Sequence, residues 1–519
     1  MSDGGRVLVR EQIAEAGLDL LRAAGFDVVV DTDGDLDTLL DGADALIVRS
    51  ATKVTADVLA AAPKLRVIGR AGVGVDNVDV DAATRRGIVV ANAPESNVVS
   101  AAEHTLGLLV ALARNIPQAH AALRDGRWER SRFGGVELAD KTLGVLGLGR
   151  IGQQVARRAL GLQMRVVGHD PYVAAERFRD LGVEPVSFDE LLERSDFLTV
   201  HLPLNDETRG AIGTAQIERM RDGVRIVNAA RGELVDETAL IAALESGKVA
   251  GAAIDVFAEE PYSGPLLTAP NVVVTPHLAA STDEAQDRAG VIVAEQVAAA
   301  LRGELVTNAV NIPTVGADDL EVLGPFIPLA AKLGRLALQL AGGDVRQIVV
   351  EAEGELAEYD TRLLTVAALN GAFQGRTDQP VNYVNAPVIA ADRGVEVVEE
   401  TRRSSHDYKN LVAVAADGRR VAGTTIGTED RQWLVSALGF QVEIELAPRM
   451  ALLRYDDVPG VIGRVGTLFG TAGVNIANMT VSRSREAGTA LMALSLDSPV
   501  PEALIAELRE GTHEAHVIQ

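Results

Sequence analysis

From Lys141 to Thr275 the sequence alternates six short β-rich runs with helical stretches; the runs are Leu143 to Gly147, Arg165 to Gly168, Phe197 to His201, Arg225 to Asn228, Gly251 to Asp255 and Val272 to Thr275. Strand and helix in regular alternation demand crossover connections, which make the strands parallel and cover the sheet with helices on both faces. That confines the segment to an open, doubly wound α/β sheet, whose ligands lie at the carboxyl ends of the strands. A first series of the same rhythm precedes it, with β-rich runs at Val7 to Arg10, Asp27 to Val30, Ala45 to Arg49 and Arg66 to Gly69 and a helix near Glu11 to Ala24. A helix with apolar periodicity from Ser100 to Arg114 joins the two series.

At 519 residues the chain exceeds what one hydrophobic core supports, so further units are expected. A helical stretch covers Asp283 to Arg302, and turn signals around Asn308 to Gly316 mark a boundary. Residues 317–447 read as mixed α/β, with helices at Pro325 to Leu340 and Thr361 to Ala372 and β-rich runs at Gln347 to Ala352, Leu411 to Ala415 and Gln441 to Leu446. No catalytic pattern stands out there. The last unit reads β (Ala451 to Tyr455), α (Val461 to Thr471), β (Val474 to Ser482), β (Thr489 to Leu496), α (Pro501 to Arg509), β (Ala515 to Ile518). That order is the ferredoxin-like split βαβ.

Composition narrows the function classes. A net charge of −24 opposes broad binding to nucleic acid or to an anionic membrane surface, so an anionic ligand would have to meet a local arginine cluster. The start, Met1 to Arg6, has no signal-peptide pattern, and the longest uniformly apolar run, Leu106 to Ala113, is too short for a bilayer span. A cytoplasmic location is expected. With no cysteine there is no disulfide, thiolate metal site or cysteine nucleophile, and no metal site is expected.

Gly147-Leu148-Gly149-Arg150-Ile151-Gly152 follows a predicted strand and opens a predicted helix. Glycines there allow a tight turn and close backbone approach, while the helix N-terminus offers N–H groups to a pyrophosphate. In a chain with 50 glycines the spacing alone carries little weight; the strand, turn and helix around it carry the rest. Asp170, ending the next strand, stands where a carboxylate can accept from the adenosine ribose hydroxyls and would repel a 2′-phosphate, which favours NAD over NADP.

Oxidation of a secondary alcohol by such a cofactor needs a base for the hydroxyl proton and a cation for a substrate carboxylate. His277, in Thr275-Pro276-His277 just past a strand, is the candidate base, with His201 its nearest competitor and His104 read as a packing residue of a helix. Glu260 is the candidate carboxylate to orient the imidazole, and Asp255, at a strand end, could instead face the nicotinamide. Arg231, also just past a strand, can grip a carboxylate bidentately. Each of these residues could equally be a surface ion-pair residue, since strand ends gather charged groups whatever the function.

The stretches Gly147 to Gly152, Asn228 to Leu240 (NAARGELVDETAL), Asp255 to Pro261 (DVFAEEP) and Pro276 to Ser281 (PHLAAS) resemble the signature blocks of the D-isomer-specific 2-hydroxyacid dehydrogenases. The resemblance spans about residues 5 to 310. It implies a substrate carboxylate on Arg231, Glu260 as partner of the histidine, and His277 as proton donor or acceptor. For the cofactor it implies contacts from Gly147, Gly149, Arg150, Ile151, Gly152 and Asp170. Val73, Leu202, Ala229, Ala230, Arg231, Asp255 and the loop His277, Leu278, Ala279 and Ala280 complete that set.

Within the family, Ile47 to Thr55 (IVRSATKVT), Gly69 to Asn77 (GRAGVGVDN) and Trp128-Glu129-Arg130 resemble the substrate segments of the branch that oxidises 3-phosphoglycerate to 3-phosphohydroxypyruvate, the first step of phosphorylated L-serine synthesis. Arg49, Arg70 and Arg130 would supply the positive field for a carboxylate and a phosphate together, with Gly74 and Asn97 as further substrate contacts. The family often has glycine at Ala279, whose extra methyl could crowd the nicotinamide loop. The C-terminal unit resembles an ACT domain, with Tyr455, Asp457 and Asn475 as an implied L-serine effector site; the same fold also serves as a purely structural pairing unit. Residues 317–447 resemble an intervening domain of the long form, in which His406 and Lys409 could bind an anion.

These readings imply a flavodoxin-like substrate domain over 1–98 and 283–310, a Rossmann-type NAD domain over 99–282, an α/β intervening domain over 317–447 and an ACT regulatory domain over 448–519. They also imply a homotetramer. Two other readings use the same residues: a reductase of glyoxylate, hydroxypyruvate or another 2-oxoacid, and an NAD-sensing corepressor or scaffold on the same fold.

Overall fold

The computed structural model describes residues 5–313, 316–377, 380–404, 407–484 and 488–518, and His406 lies outside the described residues. Four sheets organise the chain. The first is wholly parallel and contains β1 (Arg6–Val9), β2 (Asp27–Val30), β3 (Ala45–Val48), β4 (Val67–Arg70) and β5 (Val89–Ala91), in the order β2-β1-β3-β4-β5. This is the flavodoxin-like order. β3 is buried along its whole length, as expected of a central parallel strand covered on both faces.

The second sheet contains β6 (Thr142–Leu146), β7 (Arg165–His169), β8 (Glu184–Pro185), β9 (Phe197–Val200), β10 (Val224–Asn228), β11 (Val249–Ile254) and β12 (Val272–Val274), in the order β12-β11-β10-β9-β6-β7-β8. Taken within the sheet this is the Rossmann order with a seventh strand added. The direction of winding reverses between β6 and β9, which puts the ligand crevice at the end of β6. The six expected β units are present; the strand not foreseen, β8, is the third in chain order, with only two residues and no apolar run to betray it.

The long helix Asp283–Arg302 returns to the first sheet. Its bounds are set by the Thr282 hydroxyl, which accepts from the Ala285 N–H at 3.2 Å, and by Gly303 at φ 76°. Val293 and Val297 pack with Val7, Ile47 and Val67 in one buried cluster. Gly69 allows that approach, because a Cβ there would collide with the Val293 and Val297 side chains.

The third sheet, β14-β13-β15-β16-β17-β18, contains β13 (Gln347–Gly354), β14 (Glu396–Arg402), β15 (Asn410–Ala416), β16 (Arg419–Ile426), β17 (Arg431–Ala437) and β18 (Phe440–Glu445). Sequence reading foresees only three of these. Asp417-Gly418 (φ 44° and 80°) and Leu438-Gly439 (φ 53° and 82°) are two-residue hairpin loops with both positions left-handed, the geometry that matches strand twist. Helices Phe326–Ala341 and Arg362–Phe373 cover one face of this sheet and touch through glycine: a Cβ on Gly334 would strike the Ala368 carbonyl, and one on Gly371 the Ala331 carbonyl.

The fourth sheet, β20-β21-β19-β22, contains β19 (Met450–Asp456), β20 (Ile476–Arg483), β21 (Thr489–Leu496) and β22 (Glu514–Ile518), all pairs antiparallel, as the ferredoxin-like order requires. One face carries the helices Val461–Thr471 and Glu502–Glu510 over Leu453, Tyr455, Met492 and Leu494. The other face, with Met450, Leu452, Leu491, Ala493 and Ile518, joins the buried cluster of the Phe326–Ala341 helix, so the third and fourth sheets share one core.

Candidate active site

The loops beyond β11 and β12 of the second sheet and the loops of the first converge on a cleft of about 890 Å³. His277 lies immediately beyond β12, and its Nδ1 stands 2.8 and 3.1 Å from the two Glu260 carboxylate oxygens. Both residues line the cleft. Glu260 is held in turn by the Phe257 N–H at 3.1 Å, and the ring of Phe257 stacks on Tyr262 at 4.1 Å. The Tyr262 hydroxyl donates to Glu237 at 2.6 Å; burial first, then that carboxylate, pushes the phenol up to about 12, so it remains a donor. His277 has φ 55°, a left-handed conformation uncommon outside glycine and typical of residues fixed by their surroundings at functional sites.

Across the cleft stand Arg49, Arg70 and Asn97; Arg231 is not among the lining residues but pairs with Asp76, which is. Arg70 is the unusual one. Burial, then repulsion from the neighbouring Arg231, holds its guanidinium below the ordinary arginine range, with Asp76 and Glu11 opposing. Arg70 Nε and Asn97 Oδ1 are buried atoms without a hydrogen-bond partner, a state that a bound polar ligand would relieve. Arg231 donates from Nη1 to its neighbouring carbonyl, Ala230 O, at 2.7 Å and pairs through Nη2 with Asp76 at 3.2 Å. A Cβ on Gly74 would meet the Arg231 guanidinium and the Asp76 carboxylate, so the glycine leaves that ion pair its room.

The Arg49 loop is clamped from two sides. The Glu11 carboxylate accepts from the N–H groups of Arg49, Ala51 and Thr52 at 2.9, 3.2 and 3.0 Å, and Asn77 donates to the carbonyls of Arg49 and Thr52 at 2.7 and 2.6 Å. Burial pushes the Glu11 carboxyl up, but the three backbone donors outweigh it and hold it below the usual carboxylate range.

At the end of β6, Gly147 takes φ 91°, and a Cβ there would come within 2.7 Å of the His201 carbonyl and 3.2 Å of Leu202. Gly152 sits against Gly147, where a Cβ would strike its carbonyl. Gly149, by contrast, faces open space at the N-terminus of the helix Arg150–Gly161, which has no side-chain cap. The free helix N–H groups and the bare Gly149 face form a cradle that fits a dinucleotide pyrophosphate. Asp170 braces that turn, accepting from Leu148 N–H at 2.8 Å and Tyr172 N–H at 2.9 Å.

The family-model description "D-isomer specific 2-hydroxyacid dehydrogenase, NAD binding domain" matches residues 106–279, "D-3-phosphoglycerate dehydrogenase intervening domain" matches 322–435 and "ACT domain" matches 450–510. A D-3-phosphoglycerate dehydrogenase of Archaeoglobus fulgidus is 46% identical over 96% of this chain and 97% of its own length. One from Mycobacterium leprae is 49% identical over 88% of both. The chain belongs to the D-isomer-specific 2-hydroxyacid dehydrogenase family, in its D-3-phosphoglycerate dehydrogenase branch. Among solved structures, an Aquifex aeolicus D-lactate dehydrogenase complexed with NAD and lactic acid superposes with a TM-score of 0.53 at 28% identity, covering 60% of this chain and 100% of the other. The cofactor is NAD, and the protein is an NAD-dependent oxidoreductase.

Within this dehydrogenase the structure brings Arg49, Arg70, Asn97, Glu260, His277 and Ala280 to the cleft wall. Arg130 lies on the Arg130–Phe133 turn beyond the helix Ile116–Arg124 and is not among the residues that line this cleft. His201 is also no rival to His277. Burial drives its pKa down to about 4, and its Nε2 is 2.9 Å from the Thr199 hydroxyl. Asp255 is fully buried, with the N–H groups of Leu278 and Ala279 on its oxygens at 2.8 and 2.9 Å. The Ala279 methyl is therefore packed inside the protein, with the residue only 5% exposed, rather than pointing at the cleft.

Val73 accepts at its carbonyl from Asn92 at 2.6 Å, and the Ala230 N–H donates to Asn228 at 3.1 Å, next to Ala229. In the ACT unit Tyr455 is part of the core, Asp457 pairs with Arg483 at 3.1 Å, and Asn475 donates to Asp497 at 2.5 Å. Lys409 pairs with Glu355 at 2.7 Å. Sequence reading misses Glu11, Asn77, Asp76 and the partners of His104. Their partners are remote in the chain, and no local pattern marks them.

Proposed function

We propose that the protein oxidises 3-phosphoglycerate to 3-phosphohydroxypyruvate with NAD, the first step of phosphorylated L-serine synthesis, and that serine feeds back through the ACT unit. The names of the high-coverage relatives support the substrate. The observation that carries it is the half-buried Arg70, whose Nε is buried without a hydrogen-bond partner and whose guanidinium stands beside a second one, which calls for a ligand with more negative charge than one carboxylate.

In this reading residues 1–98 and 283–310 bind substrate, 99–282 bind NAD, 317–447 are the intervening domain and 448–519 the regulatory one. Arg231 takes the carboxylate and polarises the C2 oxygen, while Arg49, Arg70 and Asn97 meet the remaining polar groups. His277 accepts the hydroxyl proton at Nε2, since Nδ1 is committed to Glu260, and the Glu260 charge stabilises the imidazolium so formed. NAD, when bound, accepts the C2 hydrogen with its electron pair. Cradle residues Gly147, Gly149, Arg150, Ile151, Gly152 and Asp170 would hold its adenosine and pyrophosphate half, and Val73, Leu202, Ala229, Ala230 and the loop His277 to Ala280 its other half, with Asp255, buried beneath that loop, holding the loop rather than the cofactor. Reduction runs through the same groups in reverse.

Arg70→Met should raise KM for 3-phosphoglycerate roughly 10- to 100-fold, the worth of a charge-assisted hydrogen bond of about 1.5–3 kcal/mol. An unchanged KM would remove Arg70 from the substrate site. Tyr455, Asp457 and Asn475 form the proposed serine site; titration calorimetry should show serine binding in the wild type and none in Asp457→Ala, and binding that survives would move the effector elsewhere. The exposed Leu123 and Trp128, and Val458 and Ile462 in the ACT unit, support a homo-oligomer, proposed as a tetramer and measurable by sedimentation. No helix among the described residues is long and apolar enough to cross a membrane. A cytoplasmic location goes with the proposed pathway and is checked by cell fractionation.

A further inference from the structure

His104 lies nearly two turns into the helix Val98–Arg114, the helix that opens at Asn97 in the cleft wall. Its Nε2 is 3.1 Å from Asp255 Oδ1 and 3.2 Å from Thr275 Oγ1. The Thr275 hydroxyl donates its single proton to Asp255 Oδ1, so toward His104 it can only accept. Nε2 of His104 therefore carries a proton and shares it between the two oxygens.

Asp255 has a side chain 0% exposed, yet it holds three successive peptide groups. Its carboxylate takes the N–H groups of Leu278 and Ala279, and its main-chain carbonyl takes the N–H of His277 at 2.8 Å. Burial pushes the Asp255 carboxyl up, but the bonds from His104, Thr275 and Leu278 outweigh it and keep the group ionised. Removing one donor leaves a buried anion short of partners, a costly state that the attached loop would relieve by moving. His277 is sensitive to such movement because its left-handed backbone, φ 55°, lies in the loop that these bonds hold.

We propose that His104 is a positioning residue for the reaction: it braces Asp255, which fixes the loop that aims His277. The proposal rests on the reading of His277 as the proton-transfer group. Because the same helix begins at Asn97, one rigid element carries a substrate contact at its start and the brace of the catalytic loop further along.

The test compares His104→Leu, His104→Gln, Thr275→Val and His277→Asn in the full-length chain. It measures steady-state reduction of 3-phosphohydroxypyruvate and, separately, NADH binding by fluorescence. His104→Leu should lower kcat about 10- to 100-fold, the usual cost of losing a group that orients a catalytic residue. KM and the NADH dissociation constant should stay within about twofold, since the loss is in the chemical step. His104→Gln, whose amide can donate to Asp255, should recover most of kcat, and Thr275→Val should lower it in the same direction.

A kcat for His104→Leu within about twofold of wild type, no recovery by glutamine, or NADH binding lost in step with kcat would each overturn the proposal. Should the leucine variant not fold, Thr275→Val decides alone, and an unchanged kcat there overturns it. His277→Asn keeps the two claims apart: full turnover in that variant would sink the reading of His277 itself, whatever His104 does.

Discussion

Glu11 illustrates how a proposed substrate cation is placed by a residue that is not itself in the cleft wall. Three backbone N–H groups converge on its carboxylate and set the Arg49 loop. Glu11→Gln should raise KM for the phosphorylated substrate about three- to tenfold, the loss of roughly one hydrogen bond in placement, with kcat unchanged. An equal fall in kcat would assign Glu11 to chemistry. The pH sign follows from the lowered carboxyl: its contribution is complete above its ordinary value of 4.5 and is lost as pH falls through the lower folded-state value. Acid should therefore loosen the Arg49 loop in the wild type and change nothing further in the glutamine variant. At this scale His277, Glu260 and Arg231 were legible because each follows a strand that its own residues announce. Glu11, Asp76 and the role of His104 were not: the bonds of His104 reach 151 and 171 residues along the chain, and only the folded sheet brings them together.

Among the elements, the crossing of Phe326–Ala341 with Arg362–Phe373 is a close contact, with Gly334 and Gly371 each facing a carbonyl of the other helix. Gly334→Val should cost at least about 1–3 kcal/mol through overpacking and lower the urea midpoint accordingly. An unaltered midpoint would mean that the helices part without penalty. The strands of the two parallel sheets, apart from the short β5 and β8, were readable from sequence because buried parallel strands are continuous apolar runs bounded by turns, as Ala45–Val48 and Phe197–Val200 are. The third sheet was harder. Arg419–Ile426 and Arg431–Ala437 mix polar and apolar residues, and Glu396–Arg402 is an edge strand with mostly exposed side chains, so none stands out by hydropathy. The Asp417-Gly418 hairpin signal was present in the sequence and marks where the sheet could have been found.

In the whole molecule the segment from Val310 onward is joined by hydrogen bonds to the first sheet. Val90 N–H donates to Asn311 at 3.0 Å, Val310 N–H returns to the Val90 carbonyl at 2.8 Å, and Asn382 donates to the Gly87 carbonyl at 2.6 Å. From there the buried cluster runs without interruption through the Phe326–Ala341 helix to the open face of the ACT sheet. Serine at the proposed ACT site would thus act on the sheet that carries Arg49 and Arg70, and through it on substrate binding. The central claim, however, is the substrate, and hydroxypyruvate differs from 3-phosphohydroxypyruvate by the phosphate alone. The most direct measurement is kcat/KM with NADH for 3-phosphohydroxypyruvate, hydroxypyruvate, glyoxylate and pyruvate side by side. A preference of at least about 100-fold for the phosphorylated ketoacid is predicted, the worth of roughly 3 kcal/mol of charge-assisted contacts; equal values across the four would contradict it.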